Sequence, residues 1–298
     1  MHFANQKDAC GTGFVARLDG RAHHSILTMA LQALANHAHR GAQGADRLTG
    51  DGAGVSTQIP FAFLRRACAP LFPMPDKAED LAGAMVFLPL THSGQRSAAR
   101  RILEESLRQH GARPLGWREV PLNLEAIGPR ALSSRPHIQQ LMVERHHIPL
   151  ERFEATLYRA RRRAERQARE GAIEGFYVAS LSCKTLVYKG LCMADQLGRF
   201  YPDLQQPAYE TAVALFHQRY STNPVPAWAL AQPFRMICHN GEFNTLQGNW
   251  NWIRARETAL HISGLDRDVE DLIPIIAPGV SDSGAFDNVL EFFHRNGR

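Results

Sequence analysis

Short apolar segments with strand character occur in both halves of the chain, and segments with helical periodicity lie between them. The predicted strands are 13–18, 50–59, 84–88, 176–181, 185–188, 212–220 and 234–239, and the strands within 176–188 are expected to form a hairpin. The predicted helices are 24–39, 97–109, 152–170 and 249–260, whereas 114–149 is polar and interrupted by prolines. Because a sheet must bury its apolar face against another layer, this order predicts two packed sheets covered by helices, a layered α+β domain.

The charge of the chain is modestly positive. Its 298 residues carry a net charge of +5, and 44% of them are hydrophobic, which is ordinary for a globular protein. Much of the positive charge lies in the segment 159–169 of the long predicted helix. Glutamates lie nearby and no aromatic residues separate the arginines, so we expect a solvated helix face and no nucleic-acid partner.

Targeting and cysteine patterns place the chain in a reducing compartment. The first nine residues are polar, so they predict no secretory signal, and no apolar run reaches the ~18–20 residues that cross a bilayer. The five cysteines lack Cys-x-x-Cys spacing and zinc-type histidine partners, which indicates neither a disulfide framework nor a bound metal. We expect a cytoplasmic location and no membrane contact.

Cys10 is a candidate nucleophile because glycines follow it immediately before a predicted strand. The alternative is a buried, inert cysteine, which is the commoner role of this residue type. If residues 1–9 were removed, Cys10 would carry a free α-amine whose ordinary pKa is about 7.7–8.0. Such an amine could act as general base toward the thiol of the same residue.

A glycine-rich stretch at 39–54 contains Arg40 and could be taken for a phosphate-binding loop. It lacks the Gly-Lys-Ser/Thr ending of that motif and leads into a strand rather than a helix. Tight turns that bring backbone close to a small ligand are therefore the favoured interpretation.

Three further positions carry polar groups suited to substrate recognition or catalysis. Arg219 follows an apolar strand and could hold a carboxylate, or could be a surface arginine. Asn240 and Gly241 could form a tight turn, or supply two donors to an oxyanion. Asp282 could accept from an ammonium group, and alone its Ser-Asp-Ser context is typical of a helix N-cap.

Together these motifs resemble the class II, N-terminal nucleophile, glutamine amidotransferases, and most closely the amidotransferase domain of the glutamate synthase large subunit. The matching segments occur in the order of that family. They are 10–15, 39–46, 49–54, 188–190, 194–203, 217–222, 239–246 and 281–283.

The resemblance implies a fold and a set of roles. The fold would be a four-layer αββα sandwich of the N-terminal nucleophile hydrolase type. Cys10 would be the nucleophile, and Asn240 with the N–H of Gly241 would form the oxyanion hole. In the same way, Arg219 would bind the α-carboxylate of glutamine, Asp282 its α-ammonium, and Arg40 would orient the nucleophile loop.

The resemblance also implies a larger enzyme. Residues 1–9 would be a propeptide, and 10–298 an amidotransferase domain truncated at its C-terminal end. Glutamine hydrolysis through a γ-glutamyl thioester would feed ammonia to 2-oxoglutarate in a synthase domain, a step of nitrogen assimilation. That domain would carry FMN and an iron–sulfur cluster and could work with a small NAD(P)H-oxidising subunit, whereas this chain would hold no cofactor.

Two other functions remain open at the level of sequence. One is a stand-alone amidotransferase that serves another acceptor. The other is a non-catalytic module that binds glutamine, although a binding module has no need of both a nucleophile and oxyanion donors.

Overall fold

A computed structural model gives the fold, and it describes residues 11–218, 226–241, 243–260 and 269–296. Within those residues the strands form two antiparallel sheets of four strands each. The first sheet has the order β1 (Thr12–Ala16), β8 (Val213–Gln218), β2 (Ala53–Gln58) and β7 (Thr185–Gly190). The second has the order β4 (Arg113–Glu119), β5 (His137–Glu144), β3 (Leu81–Leu88) and β6 (Tyr177–Ser182).

Helices cover the outer face of each sheet, which gives the four layers of the αββα sandwich. Helix α1 (His24–Asn36) packs on the first sheet, and α3 (Ser93–Gln109) and α5 (Leu150–Glu170) pack on the second. Strand β3 shows why both faces must be covered, because Met85 contributes to the core between the sheets and Val86 to the core under α3 and α5. The layered α+β prediction is confirmed.

Six further α-helices lie in the described part of the chain. They are α2 (Phe61–Cys68), α4 (Pro129–Ser133), α6 (Leu197–Phe200), α7 (Leu246–Glu257), α8 (Val269–Leu272) and α9 (Asp282–Arg295). The predicted cap at 281–283 is confirmed, since Ser281 precedes α9 and its Oγ accepts a hydrogen bond from Gly284 N at 3.1 Å. Among the helices that the structure describes, none combines the length and the apolar character needed to cross a bilayer.

Two strand predictions are wrong, and the sequence pattern missed two further strands. The missed strands, β4 and β5, lie between residues 113 and 144, and β5 is hidden from a hydrophobicity pattern because Gln139 and Gln140 are polar yet buried. The predicted hairpin is a corner instead, because β6 pairs with β3 in one sheet and β7 with β2 in the other. The segment 234–239 has no strand pairing and forms an irregular loop.

The prediction of a solvated basic face on α5 is also wrong for its central arginines. Arg161 is 2% exposed, and its guanidinium donates to Glu165 and to Glu291 of α9, each at 2.6 Å. Burial alone would raise the pKa of Glu165, but the positive charges of Arg161, Arg235 and Arg162 outweigh it and hold the pKa at about 2. Ion pairing to α9 therefore lets a charged helix face become an interior surface.

Candidate active site

The start of β1 and the end of β8 meet at one end of the first sheet. Gln218 N donates to Gly11 O at 2.7 Å, and Thr12 is the register partner of His217. The predicted nucleophile Cys10 and the predicted carboxylate ligand Arg219 both lie outside the described residues. Their chain neighbours Gly11 and Gln218 are hydrogen-bonded to each other, so antiparallel pairing brings the described ends of the two motifs together.

Asn240 packs directly against Gly11. A Cβ atom at Gly11 would lie 3.1 Å from Asn240 Nδ2 and would collide with the carbonyl oxygen of Gln218, so this approach requires glycine. Both Oδ1 and Nδ2 of Asn240 are buried, and neither has a hydrogen-bond partner among the residues that the structure describes. A buried amide without partners is costly, which makes this side chain a ready hydrogen-bonding group for a ligand.

Gly241 makes a different contact. Its backbone N–H donates to Nδ1 of His239 at 2.7 Å, so Nδ1 carries no proton in this arrangement. Nε2 of the same ring lies 3.4 Å from Ser283 Oγ, and the ring packs edge-to-face against Phe243. Of the two predicted oxyanion donors, the Asn240 amide has no hydrogen-bond partner among the described residues, and the Gly241 N–H is engaged by a neighbouring side chain.

Asp282 approaches the same loop from the start of α9. Its carboxylate is 2% exposed, and Oδ2 accepts from Phe243 N at 3.3 Å while Oδ1 accepts from Ser283 N at 2.7 Å. A helix N-terminus favours an anion, so the location supports a charged carboxylate. The structure therefore brings Asp282 to the loop that carries Asn240.

Arg40 also lies at this end of the sheet. It closes a 3-10 turn, Ala38–Arg40, that follows α1. The next residue, Gly41, packs so tightly that a Cβ atom there would overlap the carboxamide of Gln218 and lie 3.2 Å from Asp51 Oδ1. The turn that carries Arg40 thus contacts the residue that precedes Arg219.

The glycine-rich segment forms a tight turn before β2, as predicted. Asp46 Oδ1 accepts from the N–H groups of Leu48 and Thr49, and Oδ2 accepts from Thr49 Oγ1 at 2.6 Å. The Thr49 hydroxyl and these backbone donors hold the pKa of Asp46 at about 2. The negative charge of Asp46 thus stabilises the turn through these hydrogen bonds.

Sequence reasoning missed the side chains that hold the loop 232–241. Gln232 is 1% exposed and hydrogen-bonds to both backbone groups of His239, and Nε2 of His217 lies 3.2 Å from the His239 carbonyl. Asp287 of α9 accepts from the N–H groups of Met236 and Ile237 through Oδ1. No sequence pattern marks Gln232, because its partners are backbone groups of an irregular segment.

Comparison with known proteins identifies the family. The model of the class-II glutamine amidotransferases matches residues 10–298, which is nearly the whole chain. The chain belongs to this family. The resemblance drawn from the motifs is confirmed, together with the fold expected for it.

The relatives of this amidotransferase chain include several glutamate synthases. It is 42% identical over 296 residues to the glutamate synthase [NADPH] large chain of Azospirillum brasilense, covering 99% of this chain and 19% of that protein. It is 43% identical over 300 residues to ferredoxin-dependent glutamate synthase 2 of Synechocystis, covering 98% of this chain and 19% of the relative. It is 41% identical over 297 residues to the glutamate synthase [NADPH] large chain of Bacillus subtilis, covering 98% of this chain and 19% of that protein. The amidotransferase chain therefore spans 19% of the length of these relatives.

The described residues contain no group of three or more His, Cys, Asp or Glu side chains placed to hold a metal ion. The iron–sulfur cluster that the resemblance implies thus has no ligand set in the part of the chain that the structure describes.

Proposed function

We propose that this chain is the glutamine-hydrolysing domain of a glutamate synthase. The observation that carries the proposal is the buried amide of Asn240, whose two polar atoms are unpaired among the described residues and lie beside Gly11, the residue that follows Cys10. A hydrogen-bond donor next to the nucleophile is what an oxyanion formed by attack on an amide requires.

The reaction begins with removal of residues 1–9, which frees the α-amine of Cys10. That amine takes the thiol proton, and the thiolate attacks the side-chain amide carbon of glutamine. The carbonyl electrons move onto oxygen, where Asn240 Nδ2 and Gly241 N–H donate to the oxyanion. Collapse breaks the C–N bond, and the amine returns its proton to the leaving nitrogen, which departs as ammonia. Water then hydrolyses the γ-glutamyl thioester, releases glutamate and restores the thiol.

Gly241 can serve in this reaction only after its N–H leaves Nδ1 of His239. The Asn240 amide needs no such exchange, because its polar atoms have no partner to give up among the described residues. We therefore assign Asn240 the first contact with the oxyanion and Gly241 the second.

The substrate would be held at its other end by two charges. Arg219 would pair its guanidinium with the α-carboxylate in a bidentate contact. Asp282 would pair with the α-ammonium, and its carboxylate accepts hydrogen bonds from the N–H groups of Phe243 and of Ser283 in α9. The Arg40 turn packs on Gln218 and would orient the nucleophile loop from that side.

Ammonia from this site would be used elsewhere in the full-length protein. We place FMN, the iron–sulfur cluster and the addition of ammonia to 2-oxoglutarate in the synthase region, with a small NAD(P)H-oxidising subunit as a further partner. This assignment is supported by the names of the relatives and by the 19% of their length that the chain spans. Cys68, Cys183 and Cys192 are free thiols, which supports the reducing environment of the cytoplasm.

The stoichiometry of the reaction tests the proposed function. We expect the chain, processed to Cys10, to release one ammonia and one glutamate per glutamine consumed. Adding 2-oxoglutarate and reduced flavin should leave both ratios unchanged, because the proposal places that second reaction in the synthase region. Coupled assays of ammonia and glutamate measure the ratios. Two glutamates per glutamine from this chain alone would contradict the assignment, and so would the absence of any ammonia release.

Asn240→Ala should lower kcat by roughly 10²–10³, because one oxyanion donor typically contributes ~3–4 kcal/mol to the transition state. The KM for glutamine should change little, since the ground-state carbonyl carries less charge than the oxyanion. Asn251→Ala is the matched control, because Asn251 is an exposed asparagine on α7 whose Oδ1 accepts only from Gln247 among the bonds described. An unchanged kcat in Asn240→Ala would remove Asn240 from the oxyanion hole.

A further inference from the structure

The loop 232–241 presents Asn240 and Gly241 without the support of a regular strand. It has no strand pairing, so its backbone polar groups need partners from side chains. Gln232 supplies two of them, because its Nε2 donates to His239 O at 2.9 Å and its Oε1 accepts from His239 N at 3.0 Å. One buried carboxamide thus satisfies both backbone groups of the residue that precedes Asn240.

Fixing both groups of His239 fixes the direction in which the chain enters Asn240. The His239 carbonyl belongs to the peptide that links it to Asn240, so its bond to Gln232 sets the plane of that peptide. The His239 ring, carried by the same residue, accepts the Gly241 N–H. Both predicted oxyanion donors therefore depend on where His239 is held.

We propose that Gln232 is a positioning residue for glutamine hydrolysis, whose carboxamide holds His239 so that the peptide leading into Asn240 directs the Asn240 side chain toward the oxyanion. This inference rests on the proposed function of the site. Gln232 itself would not touch the substrate. A misplacement of a catalytic group by about 1 Å can lower a rate about 10²-fold, so loss of this contact should be visible in turnover.

Gln232→Glu separates positioning from a general contribution to packing. A neutral carboxylic acid has the shape of the carboxamide and can both accept from His239 N and donate to His239 O. A carboxylate can only accept, and it would face the His239 carbonyl with a negative charge. The substitution should therefore preserve the contact while the new acid is protonated and break it when the acid ionises, and burial raises the pKa of such an acid toward neutrality.

Other titratable groups surround the loop and must be considered in the pH comparison. They are His217 on β8, Lys189 on β7, Asp287 on α9, and Arg235, Cys238 and His239 within the loop. All of them are present in both the unsubstituted and the substituted protein. The ratio of the two kcat values at each pH therefore removes the titration that is common to both proteins, including that of the α-amine of Cys10.

We expect the ratio of kcat for Gln232→Glu to kcat for the unsubstituted protein to fall as the pH rises from about 5.5 to about 8.5. It should be close to one at the acidic end and lower by on the order of 10²-fold at the alkaline end. KM should change little. Gln232→Met cannot hydrogen-bond in this way at any pH, so its ratio should be low and flat.

Gln196→Glu is the matched control. Gln196 is 2% exposed, and its carboxamide also joins two backbone groups, donating to Leu48 O and accepting from Met193 N, each at 2.8 Å. Its variant should lose thermal stability as the pH rises but keep a flat kcat ratio. A flat ratio for Gln232→Glu, or the same pH dependence in both variants, would overturn the proposal.

Amide exchange in the unsubstituted protein tests the contact without relying on turnover. The His239 N–H should exchange slowly in residue-resolved NMR measurements, because it donates to a buried acceptor. Rapid exchange would overturn the inference even if glutamine is hydrolysed. Slow exchange in a chain that releases no ammonia would instead support the contact and contradict the proposed function.

Discussion

The Cys10→Ala protein is expected to release no ammonia from glutamine while still binding it. The substitution removes the sulfur that forms the thioester and leaves the other proposed contacts of the substrate, Arg219 and Asp282, in place. Ammonia assays measure the turnover, and isothermal titration with glutamine measures the binding. Retained turnover in Cys10→Ala would exclude the covalent mechanism.

Cys183→Ala is the control for this loss. Cys183 is half-buried, and burial followed by the negative charge of Glu154 raises the pKa of its thiol to about 12. It therefore stays protonated at neutral pH and is a poor nucleophile, so the variant should hydrolyse glutamine like the unsubstituted protein.

The same mechanism requires the active protein to begin at Cys10. Intact-mass measurement of a fully active protein that retains residues 1–9 would contradict the role of the α-amine as base.

The second large effect concerns stability. Asp203→Asn is expected to lower the free energy of unfolding by about 3–5 kcal/mol, the usual cost of breaking a buried ion pair from one side. Asp203 is 3% exposed, and both of its oxygens accept from the guanidinium of Arg118 at 2.7 Å. Its Oδ2 also accepts from Tyr188 OH at 2.9 Å. The asparagine would leave the buried charge of Arg118 without a counter-charge. Urea unfolding followed by circular dichroism measures the change.

Two variants test the cause of that loss. The double substitution Arg118→Met with Asp203→Leu removes both charges together, so it should recover most of the stability. Asp76→Asn breaks an ion pair with Arg65 in which the aspartate side chain is 90% exposed, and it should change stability little. Equal losses for Asp203→Asn and the double variant would show that shape, rather than charge, decides the effect.

The family motif at 194–203 has a structural role. In the sequence it is only one of the segments that carry the resemblance to the family. In the structure its last residue, Asp203, joins Arg118 of β4 and Tyr188 of β7, and so links the two sheets. Local patterns could not identify these partners, because they lie 85 and 15 residues away in the chain.

Part of the candidate site could be predicted from the sequence, and part could not. The sequence motifs named Asn240, Gly241, Asp282 and Arg40, and the structure brings their segments to one end of the first sheet. The roles assigned to Cys10 and Arg219 stay predictions, since both lie outside the described residues. The motifs did not reveal that His239 engages the Gly241 N–H or that Gln232 holds His239, because a hydrogen bond to the backbone leaves no trace in residue spacing.

By itself, the sequence determined the family, the layered α+β class and the helices α1, α3, α5 and α7, because motif order and apolar periodicity are local properties of a chain. Only the tertiary structure decided which strands pair and which charges are buried. Strands β6 and β7 are separated by two residues yet belong to different sheets, and the arginines of α5 look solvated until Glu291 of α9 packs against them. In each case a partner distant in sequence changes the environment of a residue. Burial and pairing follow from that environment, whereas residue type and spacing alone leave them undetermined.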